Sequence, residues 1–278
     1  MTEVCYLNGA IVPLEEAKVS VLDLGVLRGF GIYEGITAVS GEPFHFDDHF
    51  ARLIRSAEAL GLSLAVGLEV AREAAREVVR QNGADTGRAS IRILLTGGVA
   101  EGGLEHIAGR ETFYIWATAA DPLPRELYEQ GGSLITHEHQ RFMPGFKTTN
   151  YITAVTLQDR RKAAGAIEIL YTSGGQMLEC ATSNAFIVKD GVVATPAENM
   201  LPGITRQVTL ALARAAGYPV EERAVTLDEL FAADETFITS SFKDIVPIVS
   251  IDGKQIGPGG PGPVTRNLMA RYAEALGA

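Results

Sequence analysis

Apolar positions along this chain change period several times, and the changes mark out the elements. Residues 4 to 12 carry apolar stretches on either side of Asn8-Gly9, the pattern of a tight β-hairpin. From Asp47 and Asp48 to Leu60 the period lengthens to that of a helix, with Phe50, Leu53, Ala57 and Leu60 on one stripe. His49, Arg52 and Ser56 form a second stripe beside it. A second helix is predicted from Glu69 to Gln81, stopped by Asn82-Gly83. Alternation returns between Ala89 and Thr96: Ile91, Ile93 and Leu95 point one way, Ser90, Arg92, Leu94 and Thr96 the other. An arginine buried in so apolar a strand needs a fixed carboxylate, from the protein or from a ligand, because an isolated buried charge is too costly.

Glycines at 25, 29, 31 and 35 lack the strand–turn–helix setting of a dinucleotide fingerprint. They read instead as a loop making a close approach before the strand Ile32–Val39. A strand over 111–117 is followed by Asp121-Pro122-Leu123-Pro124, the best linker in the chain. The expected division is a domain over 1–120, a linker over 121–127 and a second domain over 128–278. In the second part, Pro144-Gly145-Phe146 leads to Lys147 and a helix predicted from Tyr151 to Ala164, with Thr149 or Asn150 as N-cap. Strands follow at 167–172, 176–178, 184–188 and 192–195, then a helix from Ile204 to Ala216 after Pro202-Gly203. A capping box at Thr226 and Glu229, strands at 236–239 and 246–251, and a helix from Val264 to Leu276 complete the chain. Both parts are α+β, without the rhythm of a doubly wound sheet.

A length of 278 residues suits two domains. A formal net charge of −10 argues against nucleic acid or acidic membranes as partners. The two cysteines, Cys5 and Cys180, follow no metal or disulfide spacing, so no metal site is expected. The N-terminal stretch lacks a basic region followed by an apolar core, and no apolar run is long enough for a bilayer. A cytoplasmic protein is expected.

The candidate chemistry centres on Lys147. Just before a helix, the dipole would lower an amine's pKa, and such a lysine forms Schiff bases with aldehydes. On this segment alone a solvated loop lysine is the simpler reading. Three features suit anions: Gly203-Ile204-Thr205-Arg206 at a helix N-terminus, Thr239-Ser240-Ser241 at a strand end, and the charge of Arg52. Each alone usually only caps an element. Together with one lysine they point to a phosphorylated aldehyde. Glu179, among Met177, Leu178, Cys180 and Ala181, should have a cationic partner: ordinarily an arginine, equally a protonated pyridine nitrogen.

These residues closely match a family. The chain resembles the class IV pyridoxal-phosphate-dependent aminotransferases, the fold type IV group of branched-chain and D-amino-acid aminotransferases and aminodeoxychorismate lyase. The match spans nearly the whole chain. It rests on Asp23-Leu24-Gly25 with Tyr33-Glu34-Gly35, on His49-x-x-Arg52-Leu53, and on Lys147-x-x-Asn150. Glu179-x-x-x-Ser183-Asn184-x-Phe186, Leu201-Pro202-Gly203-Ile204-Thr205-Arg206, and Thr239-Ser240-Ser241 before Ile245-x-Pro247 complete it. The resemblance implies a two-domain α+β fold, with a small N-terminal α/β domain and a larger, pseudo-barrel-like C-terminal domain. It also implies pyridoxal 5'-phosphate, a homodimer, and amino and keto acids as small-molecule substrates.

By the same resemblance, Lys147 is the catalytic residue that holds the cofactor and shuttles protons. Glu179 would bind the pyridine nitrogen, and Arg52, Ile204, Thr205 and Ser241 the phosphate. Tyr151 resembles a tyrosine that contacts the ring hydroxyl, although its interval from the lysine is one residue shorter here. Tyr33, Arg28 and Arg92 are expected at the substrate, with Arg141 in reserve. The Arg28 and Arg92 segments look like those of an atypical subgroup in which two arginines grip the carboxylate. D-amino acids are therefore the favoured substrates and branched-chain L-amino acids the alternative. An (R)-amine transaminase, an aminodeoxychorismate-type lyase and a non-catalytic binding protein are the remaining readings.

Overall fold

The computed structural model describes residues 3–100 and 103–277. They form two compact units: the chain up to Asp121 together with Phe146–Asn150, and Pro122–Gly145 together with the chain from Tyr151 on. Each unit is a sheet with helices.

In the first unit, β1 (Val4–Leu7) and β2 (Ala10–Pro13) are the expected hairpin, with Asn8 and Gly9 both at positive φ. Then come α1 (Leu24–Arg28), β3 (Gly31–Val39), β4 (Glu42–Pro43), α2 (Phe46–Leu60), α3 (Leu68–Gln81), β5 (Arg88–Thr96) and β6 (Thr112–Ala119). The antiparallel sheet runs β2-β1-β6-β5-β3-β4. Ile32 and Ile36 of β3, Ile91, Ile93 and Leu95 of β5, and Ile115 of β6 share a core with Phe50 and Leu53 of α2. Burying each such side chain stabilises by about 1.5–3 kcal/mol, which holds the two alternating patterns in register. The register sets Gly35 opposite Arg92 and Arg92 opposite Trp116 on the other face, where Tyr33 and Leu94 also pair. Arg92 is exposed there, its guanidinium 5.4 Å from the Trp116 ring centre. The expected need for a buried carboxylate at Arg92 does not arise, because Arg92 itself is exposed, while Ser90 and Thr96 on the same face are buried.

The glycine-rich segment expected as a loop is partly helical. Asp23 Oδ1 accepts from the Gly25 N–H at 2.6 Å and caps α1, and Gly29 closes that turn at φ 65°. The second oxygen of Asp23 accepts from the Thr96 and Thr112 hydroxyls, at 2.8 and 2.6 Å. Three donors explain why a fully buried aspartate is tolerated here.

The second unit begins with α4 (Arg125–Gln130) and β7 (Gly132–Glu138), so residues 125–127 of the expected linker are helical. Next are α5 (Ile152–Thr156), α6 (Gln158–Ala163), β8 (Glu168–Ser173), β9 (Gln176–Cys180), β10 (Asn184–Lys189) and β11 (Val192–Thr195). The rest is α7 (Ile204–Ala215), β12 (Val220–Glu222), β13 (Val225–Thr226), α8 (Leu227–Phe231), β14 (Glu235–Ser240), β15 (Asp244–Ile251), β16 (Lys254–Gln255) and α9 (Pro263–Leu276). The capping box between Thr226 and Glu229 is present. Strands β10-β14-β15-β7-β8-β9 lie side by side, and β9 pairs back onto β10, closing the path into a ring. The closing pair is Glu179 opposite Asn184.

The helix expected from Tyr151 to Ala164 is two short ones broken at Leu157, and Tyr151 stands at its N-cap position in place of Thr149 or Asn150. Ile152, Thr153, Val155 and Thr156 are β-branched and weak helix formers. The Thr149 hydroxyl donates instead to the Gly29 carbonyl at 2.8 Å. Among the described residues no helix is long and apolar enough to cross a membrane.

Candidate active site

Lys147 belongs to an extended segment laid antiparallel to the start of β3. The Tyr33 N–H donates to the Lys147 carbonyl at 3.0 Å, the Thr149 N–H to that of Gly31 at 2.9 Å, and Thr148 bridges Ile32. The lysine therefore does not sit at a helix N-terminus, and the dipole argument for its pKa does not hold. Its Nζ lies 4.3 Å from the centre of the Tyr33 ring, a cation–π contact with a residue expected at the substrate.

Arg52 is almost fully buried beneath the same strand. Its Nε and Nη2 donate to the two oxygens of Glu34, at 2.8 and 2.6 Å, and His49 Nδ1 lies 2.8 Å from Glu34 Oε2. Burial pushes the Glu34 carboxyl up, but the charge and hydrogen bonds of Arg52, with those of His49, outweigh it and hold it at about 2. His49 is pushed down, first by burial and then by the charges of Arg52 and Lys147, and is neutral at pH 7. A neutral ring facing an ionised carboxylate carries its proton on Nδ1. Glu34 thus sets the orientation of the Arg52 fork.

Both shifts have the same sign for stability. The unfolded chain protonates Glu34 near pH 4.5 and His49 near 6.5, above the folded values, so stability falls as pH falls through 6.5 and again between 4.5 and about 2. Glu34→Gln should cost about 3–5 kcal/mol at pH 7 by stranding Arg52, and should flatten the lower acid limb. Denaturant midpoints across this pH range check both; an unchanged midpoint at pH 7 would refute the pairing.

In the second unit the ring-closing pair is also the chemical hub. Glu179 Oε1 accepts from Arg141 Nε at 2.7 Å, and Oε2 from the Leu201 N–H at 3.0 Å. Asn184 Nδ2 donates to the Leu201 carbonyl at 2.8 Å. Both backbone groups of Leu201 are thus held by one strand pair. Gly203 approaches so closely that a Cβ there would lie 2.1 Å from Asn184 Oδ1, which accounts for a glycine in Leu201-Pro202-Gly203. Arg141, expected in reserve for substrate, braces Glu179 and also donates to the Pro144 carbonyl at 2.6 Å. It is the arginine partner that a poorly hydrated Glu179 requires, so charge balance alone does not call for a second cation. Tyr171 in β8 is pushed up to about 12 by burial and by the negative charge of Glu168 and neighbouring groups, and it packs in one cluster with Tyr151.

A phosphate would find donors in this unit. Gly203 caps α7 with no side-chain bond, so the first N–H groups, including those of Ile204 and Thr205, have no cap acceptor. The hydroxyls of Thr239 and Ser240, just before Ser241, are buried without a partner in the structure. Orphaned donors at a helix start and a strand end fit a phosphate ester. Arg206 Nη2 donates to the Pro196 carbonyl and to Glu222, at 2.9 and 3.0 Å, while its buried Nε has no hydrogen-bond partner in the structure.

Glu34, His49, Glu168, Tyr171 and Lys243 carry no role that the sequence pattern assigns. For Glu34 a signal was there, a carboxylate within the apolar strand Ile32–Val39 that had to find a cation. Arg28, at the end of α1, donates to its neighbour's carbonyl, Leu27 O, at 2.9 Å.

The family model described as amino-transferase class IV matches residues 31–251. A Methanocaldococcus jannaschii protein provisionally named a branched-chain-amino-acid aminotransferase is 36% identical over 278 residues, covering 97% of this chain and 95% of its own. The D-alanine aminotransferase of Listeria monocytogenes serotype 4b is 33% identical over 276 residues, with 97% and 94% covered. The T.th. branched-chain amino acid aminotransferase, solved with pyridoxamine 5'-phosphate, superposes with a TM-score of 0.92 at 33% identity, over 99% of this chain and 94% of that one. On a match that runs through both units, the chain belongs to the class IV aminotransferases and is a pyridoxal-phosphate-dependent transaminase of fold type IV.

Proposed function

We propose that this transaminase moves amino groups between D-amino acids and 2-oxo acids. The observation that carries this reading is Arg92. It is exposed on the face of the six-stranded sheet opposite the core cluster, the face that bears Tyr33 and, over its ring, Lys147. Gly35, directly opposite in the register, adds no side chain beside it. A fixed guanidinium on the lysine's side of the sheet suits a carboxylate. The second reading, branched-chain L-amino acids, is favoured by Leu94 and Trp116 on the same face, an apolar surface for an aliphatic side chain.

Pyridoxal phosphate, when bound, supplies the electron sink that makes a substrate Cα proton acidic. In this reading Lys147 Nζ holds the cofactor and carries that proton. Tyr33 supports the lysine's ammonium form. The Glu179 carboxylate, aligned by Arg141 and the Leu201 N–H, would bind the ring nitrogen, and Tyr151 the ring hydroxyl. Arg52, aligned by Glu34, the N–H groups of Ile204 and Thr205, and Ser241 would be the groups that bind the phosphate. Arg28 and Arg92 grip the substrate carboxylate.

The reading includes a cytoplasmic homodimer in which Arg28 serves the partner copy. Val21, Leu22, Val26 and Leu27, in and beside α1, are exposed apolar residues that a second copy would cover. Cys5 and Cys180 are free and buried, as suits a reducing compartment.

The test is a half-reaction screen of D-amino acids, L-amino acids and (R)-amines on the loaded chain. D-amino acids should react fastest. Arg28→Gln and Arg92→Gln should weaken amino and keto acids about tenfold or more, since a hydrogen bond to a charged group is worth about 1.5–3 kcal/mol. (R)-Amines, which have no carboxylate, should change little. Equal losses for acids and amines would assign both arginines to the fold, and faster L-substrates would select the second reading. Sedimentation should show a dimer at assay concentration; a fully active monomer would remove the partner role of Arg28.

A further inference from the structure

The ring of strands contains a second buried ion pair, away from Glu179, that the roles above do not use. Glu168, the first residue of β8, is only 4% exposed. Its Oε1 accepts from Lys243 Nζ at 2.7 Å, from the Ser183 hydroxyl at 3.2 Å, and from the Thr182 hydroxyl. Lys243 Nζ in turn lies 2.5 Å from Thr182 Oγ1 and 3.2 Å from Ser183 Oγ. Burial raises the Glu168 carboxyl, but the charge and hydrogen bond of Lys243, with the Thr182 hydroxyl, more than offset this and keep it ionised.

The chain positions of these groups give the pair its meaning. Thr182 and Ser183 form the turn between Glu179, near the end of β9, and Asn184, the first residue of β10. Lys243 belongs to the turn 241–243 that follows β14, and its N–H donates to the Ser240 carbonyl at 3.3 Å. That turn begins with Ser241, next to the orphaned hydroxyls of Thr239 and Ser240. The Tyr128 hydroxyl also donates to the Lys243 carbonyl at 3.2 Å. The Lys243 side chain is therefore a strut from one turn to the other, anchored on a carboxylate in a third strand.

We propose that Lys243 and Glu168 are positioning residues for the cofactor's phosphate: their ion pair fixes the Ser241 turn against the Glu179–Asn184 turn without itself touching the phosphate. Lys243 adds no net charge toward an anion, because Glu168 cancels it at 2.7 Å. What it supplies is geometry. Glu179 and Asn184 already hold the loop that leads into α7, through the two backbone groups of Leu201. With the Lys243 strut, both phosphate-donor segments are referred to one strand pair. Preorganised donors bind an anion more tightly than donors ordered on binding.

The proposal rests on the reading that Ile204, Thr205 and Ser241 hold the phosphate, and the test separates the two. The full chain, stripped of cofactor, is titrated with pyridoxal 5'-phosphate and with pyridoxal, which lacks the phosphate, following the near-visible absorbance of the bound form. Native chain should strongly prefer the phosphorylated form; equal affinities would overturn the phosphate reading itself. Lys243→Met, Glu168→Gln and the double variant Glu168→Gln/Lys243→Met should each bind pyridoxal 5'-phosphate about tenfold more weakly or worse, consistent with losing hydrogen bonds to a charged group. Pyridoxal affinity should move less than about twofold.

Several results would overturn the proposal. Recovery of affinity in the double variant would reduce the pair to mutual charge satisfaction. Loss in Lys243→Met with none in Glu168→Gln would make Lys243 a direct phosphate ligand. Equal losses for both compounds would assign the pair to general stability. If Lys243→Met does not fold, Glu168→Gln and the double variant, which leaves no buried charge unpaired, carry the comparison.

Discussion

Lys147→Ala should lower transamination by roughly 10⁴-fold or more, the scale of losing a positioned acid–base group that is also the covalent attachment point. The segment that bears Lys147 is fixed by backbone bonds rather than by the side chain: Tyr33 and Thr149 donate across the pairing with β3. Removing the side chain should therefore leave the segment and its neighbours in place. The bridge between Thr148 and Ile32 involves main chain only and should also survive. The variant should still bind pyridoxal 5'-phosphate through its phosphate, while the near-visible band given by the lysine linkage disappears. Product formation near the native rate would end the assignment. An added primary amine that restored part of the rate would support it, because a free amine can replace a missing Nζ but not a missing fold.

Glu179→Gln should reduce the rate by roughly 10²–10³-fold, the scale of losing one preorganised electrostatic contact. Two effects combine at this carboxylate. An ionised carboxylate favours a protonated ring nitrogen and so a better electron sink, which a neutral amide cannot do. The same carboxylate accepts from Arg141 and from the Leu201 N–H, and the Gln carbonyl can replace only one of those acceptors. If only the structural bonds mattered, the variant would lose stability and cofactor affinity while its rate per bound cofactor stayed the same. The expected result is a fall in rate at saturating cofactor, with a smaller change in denaturant midpoint. An unchanged saturated rate would leave Glu179 as the clamp of the Leu201 loop and nothing more.

These two residues also show how far the sequence reached. Local patterns determined most elements: the Asn8-Gly9 hairpin, the alternation of β5, the stripe Phe50-Leu53-Ala57 of α2 and the capping box at Thr226 are set by short-range periodicity and turn chemistry, which a sequence displays directly. The motifs around Lys147, Glu179 and Gly203 were enough to indicate the family, and with it the cofactor, because side-chain type and spacing are all that such a resemblance uses.

Partnership was decided by tertiary structure alone. Arg52 lies in the sequence on the second stripe of α2, beside the apolar one, and it is buried with Glu34 of β3, 18 positions back in the chain, as its partner. Arg92 reads as a charge in a core strand, and it is exposed because it lies on the face of the sheet away from the core cluster. Lys147 reads as the residue before a helix, but the helix starts only at Ile152, and pairing with β3 holds the lysine's segment extended. Glu168 and Lys243, 75 positions apart, share no local pattern at all. Periodicity reports which side of an element a residue occupies. Which charge lies on the far side depends on how strands of distant sequence pair, and that is settled only when the chain closes its sheets.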